Sequence, residues 1–497
     1  MSEIQGEMRD HACAGGQSSL PVPDLKGKYV LLINPPWEFH ESKTSIVNSA
    51  VKERCYPPLG LALLAGYLES CGARVAIIDM QAQKGTVEDL APPKQPDFTG
   101  ITANTVMIGS ACAVAGEVKR LWPETRVVMG GIHPTMRPGE VLQTPEVDFV
   151  VRGEGERSLA WLVGGADYDQ VPGLAYLQDG SYREHPELDL IEDLDAMPMA
   201  SYHLLPMHLY NPPLSGALRT PSISIYSSRG CPGKCTYCAG SMVKKLRFFS
   251  AAKLIREIEY LVEHYGIREM AFYDDTFCAN RKRVRDFCSL LIERKIDLTW
   301  SCFSRIDYAD RQTLELMRKS GCHVICYGVE SSDKAILENI KKRLDLEKVV
   351  PATRMTQETG IRVRLSFMLG NPGETRQTME NSVRFAIAAD PDYAQFLITT
   401  PFPGTEMYEW AERHGYLATR DWSKYDFWNV IMKLPTVSEE DIYYYARASH
   451  RRFYLRFGFF RRFVVNLFRY PPLFLNMLGY GLRLLGLKRP ASDTVSQ

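Results

Sequence analysis

Three cysteines lie close together in the middle of the sequence, in Cys231-Pro-Gly-Lys-Cys235-Thr-Tyr-Cys238, directly after the stretch SISIYSS. Three thiolates on one loop can converge on one metal centre, and Gly230 and Gly233 allow the backbone to wrap around it. A [4Fe–4S] cluster normally binds four cysteines, so three would leave one iron open to an external ligand. The alternatives are three incidental thiols or a structural zinc loop without a nearby fourth ligand, although such zinc sites favour paired C-x2-C spacings. The spacing therefore predicts an iron–sulfur cluster with an open iron.

The first half of the chain contains apolar runs that alternate with helical patterns. Short continuous apolar runs are typical of buried parallel strands, and strands that alternate with helices indicate βαβ units. This pattern predicts a doubly wound, Rossmann-like α/β domain. The predicted strands are Tyr29–Asn34, Arg74–Asp79, Phe98–Thr102, Arg126–Met129 and Phe149–Val151, and the predicted helices are Leu59–Cys71 and a segment near Ser110–Leu121.

The same alternation restarts at Ser222, just before the cysteine loop. Six β/α units could form an open sheet or a partial barrel, and periodicity alone does not decide between them. The helical patterns include Ala252–His264 and Val284–Arg294. The predicted strands are Ile223–Ser227, Glu269–Tyr273, Thr299–Phe303, Val324–Val329, Arg362–Met368 and Ala394–Thr399. Cys302, Cys322 and Cys326 lie on these apolar strands, so we interpret them as packing residues.

The composition limits the class of protein. The chain has 497 residues, of which 45% are hydrophobic and 24% charged, which excludes global disorder and fibrous architectures. Basic and acidic residues are equal in number, at 59 each, which argues against a nucleic-acid partner. No signal peptide or apolar run long enough to span a membrane is found in the sequence. Twelve cysteines without a signal peptide predict reduced thiols and a cytoplasmic protein.

The cysteine loop and the motifs that follow it resemble the radical S-adenosylmethionine (SAM) superfamily, in its cobalamin-dependent branch. The resemblance rests on RGCPGKCTYC with Tyr237 before the last cysteine, and it runs from roughly Lys28 to Tyr445. The further motifs are FYDDTF (Phe272–Phe277), SRID (Ser304–Asp307), YGVESSD (Tyr327–Asp333), MLGNPGET (Met368–Thr375) and PFPGTEMY (Pro401–Tyr408).

This resemblance implies a domain order. We expect an α/β protein with an N-terminal doubly wound cobalamin-binding domain, a partial (β/α)6 TIM-like radical SAM barrel, and a helical C-terminal extension. The expected boundaries are a flexible N-terminus at 1–26, the cobalamin-binding domain at 27–176, a linker at 177–215, the radical SAM core at 216–420 and the C-terminal extension at 421–497.

The resemblance also implies site residues in the barrel. Cys231, Cys235 and Cys238 would bind three irons of a [4Fe–4S] cluster, and the amino and carboxylate groups of SAM would bind the fourth. SAM contacts are expected at the carboxyl ends of the strands, where parallel barrels place their sites. Asp274 or Asp275 suits the methionine ammonium by charge. The remaining expected contacts are Tyr237, Arg305, Glu330 and Ser366, with Gly370 just after the fifth strand. A helix cap, a loop ion pair or a tight turn is the structural alternative for each of these residues.

The N-terminal half resembles the cobalamin-binding domain that is fused to such enzymes. Glycines after a strand let the backbone approach a bulky cofactor closely. The alternative is a Rossmann-like domain without a cofactor. The resemblance assigns cobalamin contacts to Asn104, Thr105, Val106, Gly130, Gly131, His133, Pro134, Glu154, Gly155 and Glu156, in the stretches Thr102–Val106, Met129–Thr135 and Val147–Glu156.

One departure from related domains concerns the cobalt. Methionine synthase-type domains carry D-x-H-x-x-G, whose histidine binds cobalt from below, whereas the comparable stretch here, Asp79–Gly85, contains no histidine. His133 and His40 would reach the metal only with an unusual loop geometry. We therefore expect no histidine ligand to cobalt.

The C-terminal tail has an unusual composition. Residues Arg451 to Arg489 include eight arginines, one lysine and no acidic residue, interleaved with Phe, Leu and Tyr. Because basic and acidic residues balance over the whole chain, the rest of the protein has an excess of nine acidic residues. Two interpretations follow, peripheral contact with a membrane surface or a helical lid that packs on the acidic body.

The resemblance implies an enzyme that methylates an unactivated carbon, or phosphorus, of a small biosynthetic intermediate through a 5′-deoxyadenosyl radical and methylcobalamin. If the tail contacts a membrane, a lipophilic intermediate is expected. An electron donor such as flavodoxin or ferredoxin is expected. The main alternative is an oxidative cyclase of the anaerobic porphyrin cyclase type. A tRNA methylthiotransferase would need a second three-cysteine cluster, whose context Cys13, Cys55 and Cys71 lack, and a non-catalytic cobalamin sensor would not need an open-iron cluster.

Overall fold

The computed structural model describes residues 20–37, 55–210, 217–241 and 245–459. These residues form two compact units. Of the described residues, unit 1 contains 20–37, 57–210 and the short segment 421–423, and unit 2 contains 55–56, 217–241, 245–420 and 424–459. Of the expected N-terminal segment 1–26, residues 1–19 lie outside the described part of the chain.

Unit 1 is built on a seven-stranded sheet with the order β2-β1-β3-β4-β5-β6-β7. The first five strands are parallel, and β6 and β7 continue the sheet as an antiparallel hairpin. The strands are β1 (Tyr29–Asn34), β2 (Arg74–Asp79), β3 (Phe98–Thr102), β4 (Arg126–Gly130), β5 (Phe149–Val151), β6 (Leu174–Gln178) and β7 (Ser181–Glu184). The helices are α1 (Leu59–Ser70), α2 (Val87–Leu90), α3 (Ile108–Leu121), α4 (Ile132–Met136), α5 (Pro138–Val141) and α6 (Gly155–Val163).

The central strand shows why this sheet forms. All six residues of β1 are buried, as expected for a strand that is covered by helices on both faces. Since β1 pairs with β2 on one side and with β3 on the other, the chain winds in both directions from β1, and the predicted doubly wound fold is confirmed. A crevice at the carboxyl ends of β1 and β3 is the usual ligand site of such sheets.

Most of the segment predicted as a linker belongs to unit 1, which continues to Tyr210. The chain after β7 packs against α1 so closely that a Cβ atom on Gly66 would lie 2.3 Å from the Met199 carbonyl oxygen. The Ser201 N–H donates to the Ala62 carbonyl (2.9 Å). A buried ion pair between Arg157 and Asp189 (2.5 Å) joins the same segment to α6. These contacts bind the connector to the domain, and its proline content gave no sign of them.

Unit 2 is built on a six-stranded, fully parallel sheet whose strands follow one another in the order β8-β11-β12-β13-β14-β15. The strands of this sheet are β8 (Ser222–Ile225), β11 (Glu269–Phe272), β12 (Thr299–Ser304), β13 (Cys322–Glu330), β14 (Arg362–Leu369) and β15 (Tyr393–Ile398). The short strands β9 (Ser228–Arg229) and β10 (Arg247–Phe248) form a separate antiparallel pair. The helices are α7 (Ala251–Tyr265), α8 (Arg281–Glu293), α9 (Arg311–Lys319), α10 (Lys334–Asn339), α11 (Val349–Glu358), α12 (Arg376–Ala389), α13 (Glu406–Arg413) and α14 (Glu439–Tyr454). The sequential strand order matches the expected partial (β/α)6 barrel.

The two faces of this sheet differ in chemistry. Phe272 and Trp300 face the helices, where both rings pack against Phe287 of α8. Phe367 of β14 likewise faces Phe385 of α12. Because side chains alternate along a strand, the residues between these positions point to the opposite face, which we call the inner face.

The last described helix, α14, protects the free edge of β15. The Tyr454 hydroxyl accepts from the Ala394 N–H (3.2 Å) and donates to the Ala394 carbonyl oxygen (2.8 Å). His450 accepts from the Phe396 N–H (3.5 Å). Side chains of α14 therefore satisfy backbone groups that an unprotected edge strand would leave free to pair with another chain.

The beginning of the basic tail packs on unit 2. Arg452 pairs with Glu380 (2.6 Å) and Arg456 pairs with Asp390 (2.7 Å). Phe453, which lies between these two arginines in the sequence, is buried. As far as residue 459 the tail thus follows the lid interpretation, and residues 460–497 lie outside the described part of the chain. None of the helices in the described ranges has the length and apolar character that a bilayer span requires.

Candidate functional site

The cysteine loop follows β8 at the carboxyl end of the unit 2 sheet. Two backbone hydrogen bonds hold its middle in place: the Thr236 N–H donates to the Ile340 carbonyl (3.0 Å), and the Thr236 carbonyl accepts from the Met407 N–H (2.9 Å). Gly233 lies between two of the thiols, since a Cβ atom there would be 3.3 Å from Cys231 Sγ and 3.9 Å from Cys235 Sγ. A larger residue would fill the space that the thiols enclose.

Cys235 is buried, Cys231 and Cys238 are half-buried, and the three thiols influence one another. Burial raises the pKa of Cys231, and burial also raises the pKa of Cys238, to about 11. The neighbouring cysteines contribute to both shifts, which places the three thiols within electrostatic range of one another. A bound metal reverses this preference, because it binds the thiolate form.

The loop supplies three thiols, which is the protein ligand set of a cluster with one open iron. Within the described ranges, no three His, Cys, Asp or Glu side chains are arranged to hold one metal ion. A zinc ion would need all of its sulfur ligands at about 2.3 Å from one point. In an iron–sulfur cluster each thiolate binds a different iron, so the thiols stand further apart. The three cysteines and the space beside Gly233 fit the cluster.

Predicted SAM-contact residues gather around the loop. Asp275 adds to the raised pKa of Cys231, which burial dominates, and Arg305 acts in the opposite direction. Asp275 also lies against the loop, since a Cβ atom on Gly240 would be 3.0 Å from its carboxylate oxygen. Burial raises the pKa of Tyr237 well above its usual range, with Glu330 as the next cause. The structure therefore brings Tyr237, Asp275, Arg305 and Glu330 together.

Of the two adjacent aspartates, Asp274 points away from the loop. Its carboxylate accepts from the Ser227 N–H (2.6 Å) and the Ser227 hydroxyl (2.5 Å), and Arg283 lies 3.8 Å away. Asp274 is buried, whereas Asp275 is exposed. Asp274 thus ties β8 to α8, and Asp275 is the aspartate that faces the cysteines.

A β-bulge positions Glu330. The register between β13 and β14 shifts between Gly328 and Glu330, and Glu330 has a positive φ of 70°. Its carboxylate folds back over Gly328, where a Cβ atom would lie 2.3 Å from Glu330 Oε1, and it pairs with buried Lys342 (3.0 Å). Lys342 is a site residue that sequence reasoning missed, because nothing distinguishes it from Lys341 and Arg343 beside it.

Ser366 lies on the inner face of β14, half-buried, and Gly370 lies in the turn that follows. In that turn the Glu374 carboxylate accepts from the N–H groups of Gly370 (2.6 Å) and Asn371 (2.9 Å). The Thr399 hydroxyl donates to the Asn371 side-chain oxygen (3.0 Å). The MLGNPGET motif is therefore a buried turn that joins the ends of β14 and β15.

In unit 1, a polar group occupies the carboxyl ends of β1 and β2. Buried Asp79 accepts from Asn34 (2.7 Å) and from the Tyr210 hydroxyl (2.9 Å), and burial raises its pKa. Gln81 stands where D-x-H-x-x-G domains carry histidine, and its amide donates to Asn34 and to the Pro35 carbonyl (both 3.3 Å). Sequence reasoning did not single out Asn34 or Tyr210, which meet Asp79 only in the fold.

The expected cobalamin contacts after β3 and β4 come together at the same edge. Asn104 is exposed, Thr105 is buried and Val106 is half-buried at the end of β3. Gly131 follows Gly130 at the end of β4 with a φ of 99°, and a Cβ atom on it would lie 2.7 Å from the Ala103 carbonyl oxygen. The glycine is required because the two strand ends approach so closely.

His133 is the most informative residue of this edge. It is fully buried between Pro134 and the end of β4, and both of its ring nitrogens lack a hydrogen-bond partner among the described residues. Burial lowers its pKa to about 4, so the ring is neutral. The Trp422 ring packs against it edge-on at 5.2 Å between centroids. A buried imidazole with unsatisfied nitrogens is suited to a cofactor with polar groups.

The remaining predicted contacts lie at the start of α6. The Glu154 carboxylate accepts from the Ile191 N–H (2.9 Å), Gly155 packs near Leu64, and Glu156 is buried. The Glu154 hydrogen bond holds the connector at the start of α6, and Gly155 leaves room there for Leu64 of α1. Their predicted role in cobalamin binding stays a prediction.

Comparisons with known proteins agree with this architecture. Residues 225–386 match the model of the radical SAM superfamily, and residues 46–163 match that of the B12 binding domain. A protein of Pyrococcus horikoshii described as an uncharacterized methyltransferase is 36% identical over 445 residues, which cover 87% of this chain and 94% of that protein. The chain belongs to the cobalamin-binding branch of the radical SAM superfamily. It is an enzyme of that family, whose cofactors are a [4Fe–4S] cluster, SAM and cobalamin.

Other relatives differ in the reaction that their names give. An anaerobic magnesium-protoporphyrin IX monomethyl ester cyclase of Rubrivivax gelatinosus is 28% identical and covers 86% of this radical SAM chain and 78% of its own. The cytidylyl-2-hydroxyethylphosphonate methyltransferase of Streptomyces wedmorensis is also 28% identical, over 73% of this chain and 79% of its own. Among solved structures, the cobalamin-dependent radical SAM enzyme OxsB has the same fold, with a TM-score of 0.70 at 16% identity over 86% of this chain and 66% of its own.

Proposed function

We propose that this radical SAM enzyme transfers a methyl group to an unactivated carbon, or phosphorus, of a small biosynthetic intermediate. The observation that carries the proposal is the three-thiol loop at the carboxyl end of a parallel sheet, with an exposed carboxylate and an arginine beside it. Similarity over nearly the whole chain to a methyltransferase supports it. The inner face of unit 2 is lined by polar and aromatic side chains, which suits a small-molecule substrate.

The chain's own residues would divide the work as follows. Cys231, Cys235 and Cys238 would hold the cluster, which when bound supplies the electron that cleaves SAM. Asp275 would bind the methionine ammonium by charge. Arg305, Glu330, Tyr237 and Ser366 would orient the rest of the SAM molecule, and the bulge at Gly328 would fix the Glu330 carboxylate in place.

Unit 1 would hold the cobalamin at the carboxyl ends of its parallel strands. Gly130 and Gly131 would allow the backbone to approach it, and Asn104, Thr105 and Val106 would line the same edge. His133 would offer its two unsatisfied nitrogens to polar groups of the cofactor, with Pro134 beside it. Glu154, Gly155 and Glu156 complete the proposed set.

The direct test is an anaerobic incubation of the reconstituted enzyme with cell extract and SAM that carries a trideuterated methyl group. Mass spectrometry should find a product that contains the label, and the triple variant of Cys231, Cys235 and Cys238 to Ala should give none. A product that lacks the label but forms together with 5′-deoxyadenosine would instead support a cyclase reaction. That alternative is suggested by the cyclase that is 28% identical.

The cluster needs a reductant, and we propose a flavodoxin or ferredoxin as the physiological electron donor. Turnover with a purified flavodoxin or ferredoxin system should exceed that with no donor and approach that with dithionite. Activity that responds to dithionite alone would contradict this assignment.

We also propose that the tail beyond residue 459 contacts an anionic membrane surface, which would suit a lipophilic substrate. The support is the composition of the sequence, with basic residues worth about 1 kcal/mol each at most near anionic lipid. Full-length protein should sediment with anionic liposomes at low salt and not at high salt, and a chain that ends at residue 459 should not. Absence of salt-sensitive sedimentation by the full-length protein would reject membrane contact in favour of the lid.

A further inference from the structure

The inner face of unit 2 carries one layer of side chains that crosses the sheet. In this layer Phe303 pairs with Cys326, Cys326 with Arg364, and Arg364 with Tyr393. Tyr273 continues the layer, since its ring lies 5.2 Å from that of Phe303. The layer is therefore aromatic at both ends, with a single cation between them.

Arg364 has no counter-ion within the part of the chain that the structure describes. Its guanidinium lies over the Phe303 ring at 5.5 Å and hydrogen-bonds the Cys326 thiol. Among the described residues, no carboxylate lies within ion-pair distance of it. Arg364 is half-buried, so water reaches it only in part. A cation that is neither paired nor fully hydrated is costly unless a ligand completes it.

The next arginine on the same strand shows the contrast. Arg362 also lies on the inner face, but it donates to His323 (2.7 Å) and to the Tyr393 hydroxyl (2.9 Å). His323 in turn pairs with Glu269 (2.5 Å). This network neutralises Arg362 at the amino-terminal end of the sheet and leaves Arg364 as the cation above it.

We propose that Arg364 binds an anionic oxyacid group of the substrate, a carboxylate or a phosphate, while Tyr273 and Phe303 contact an apolar part of the same molecule. A guanidinium matches either anion through two parallel N–H groups. This inference rests on the proposed function and names its substrate class.

The position of Arg364 also gives the substrate an orientation. Arg364 precedes Ser366 by two residues, which is about 7 Å along a strand. The predicted SAM contacts lie at Ser366 and beyond it, at the carboxyl end. The anionic group would therefore enter first, and the reacting part of the substrate would remain nearer the cysteine loop.

The first test uses simple anions as probes. Anaerobically reconstituted wild type, Arg364→Gln and the exposed control Arg354→Gln would be melted with benzoate, with inorganic phosphate and with neutral benzamide. Benzoate or phosphate, but not benzamide, should raise the melting temperature of the wild type and of the control, and the Arg364→Gln shift should vanish. The two anion arms distinguish a carboxylate from a phosphate. Equal shifts in Arg364→Gln, or no shift in the wild type, would overturn the proposal.

The second test separates this inference from the proposed function. Cell extract would be divided on an anion-exchange column, and each fraction incubated with enzyme and methyl-deuterated SAM. Labelled product should come from the retained, anionic fraction, and Arg364→Gln should give about 10- to 100-fold less of it at limiting substrate. The exposed control Arg354→Gln should give as much labelled product as the wild type. Labelled product from the unretained fraction alone would overturn the anion site and keep methyl transfer. If no fraction gives labelled product, the proposed function fails. The melting experiment with benzoate, phosphate and benzamide then decides whether Arg364 binds an anion.

A folding defect would be visible before either test. Arg364→Gln loses the contacts with the Phe303 ring and the Cys326 thiol but no ion pair within the described residues, so without ligand it should still unfold in one cooperative transition close to that of the wild type. Arg364→Lys supplies a second variant, which keeps the charge but lacks the planar fork. In Arg364→Lys, phosphate should still raise the melting temperature, and benzoate should raise it less. The proposal would be contradicted if neither anion shifted the melting temperature of Arg364→Lys while both shifted that of Arg364→Gln.

Discussion

Glu374 lies fully buried in the turn after β14, where burial raises the pKa of its carboxyl to about 8. Such a group is protonated in the folded state at a pH where the unfolded chain, near 4.5, has already ionised. Its contribution to stability is therefore complete below about pH 4.5 and is lost as the pH rises through about 8.

Glu374→Gln should remove this dependence on pH. Between pH 5 and 8 the wild type should lose roughly 1–4 kcal/mol of stability more than the variant loses. Urea unfolding of the anaerobic holoprotein at several pH values measures the difference. Glu315→Gln, at an exposed position, serves as the control. Parallel stability curves for Glu374→Gln and the wild type would show that this carboxyl does not titrate as described.

Gln81 lies just after β2, at the carboxyl ends of the unit 1 strands where we propose that cobalamin binds. It stands in place of the histidine of D-x-H-x-x-G domains, and its amide donates to the Asn34 side chain and to the Pro35 carbonyl. Among the described residues of unit 1, His133 has a buried ring whose two nitrogens both lack a hydrogen-bond partner. This ring packs edge-on against Trp422. We expect electron paramagnetic resonance of the protein loaded with cob(II)alamin to lack nitrogen superhyperfine splitting from a lower ligand. Single-nitrogen splitting that disappears in His133→Ala would contradict this expectation.

At this scale the sequence predicted residue types better than orientations. The spacing selected the three cysteines, and the family resemblance selected Arg305 and Glu330 at the ends of strands that the apolar pattern predicts. The choice between Asp274 and Asp275 depends on which carboxylate meets Ser227, and Lys342 becomes a site residue only through a bulge. Neither property follows from spacing in the chain.

Among the elements, α14 has the clearest role, since it supplies hydrogen bonds to the free edge of β15. Tyr454→Phe would leave the N–H and carbonyl of Ala394 without this partner, at an expected loss of about 1–2 kcal/mol. Hydrogen exchange of a peptide that covers Tyr393–Ile398 should become faster. Tyr444→Phe, at an exposed position of the same helix, should leave that exchange unchanged. Unchanged exchange in Tyr454→Phe would show that the helix does not protect the edge.

The long strands were predictable because each is a continuous or alternating apolar run. The structure confirms all eleven predicted strands, four of them to the residue and the other seven with ends that differ by one or two residues. The short pairs β6–β7 and β9–β10 were missed. All of β7 is exposed, and β9 and β10 have only two residues each, so they carry no hydrophobic signal.

At the scale of the whole molecule, the cluster loop lies in unit 2, whereas the proposed cobalamin residues lie in unit 1, which has its own core. Replacing Cys231, Cys235 and Cys238 together by Ala should therefore remove iron and sulfide and leave cobalamin binding intact. Metal analysis and the visible spectrum of bound cobalamin measure both. Cys112→Ala, in unit 1, should retain the iron. Iron near the wild-type level in the triple variant would reject the cluster assignment.

The cover of β15 also has a consequence during synthesis. The strand ends at Ile398, but Tyr454, which hydrogen-bonds its free edge, comes much later in the chain. A further 56 residues must therefore be translated before this hydrogen bond can form. At about 5–20 residues per second this takes roughly 3–11 s. Throughout that interval the nascent chain presents a bare strand edge on the ribosome. Chains stalled after β15 has left the ribosome but before the last helix has done so should therefore recruit chaperones more strongly than chains stalled after both have emerged.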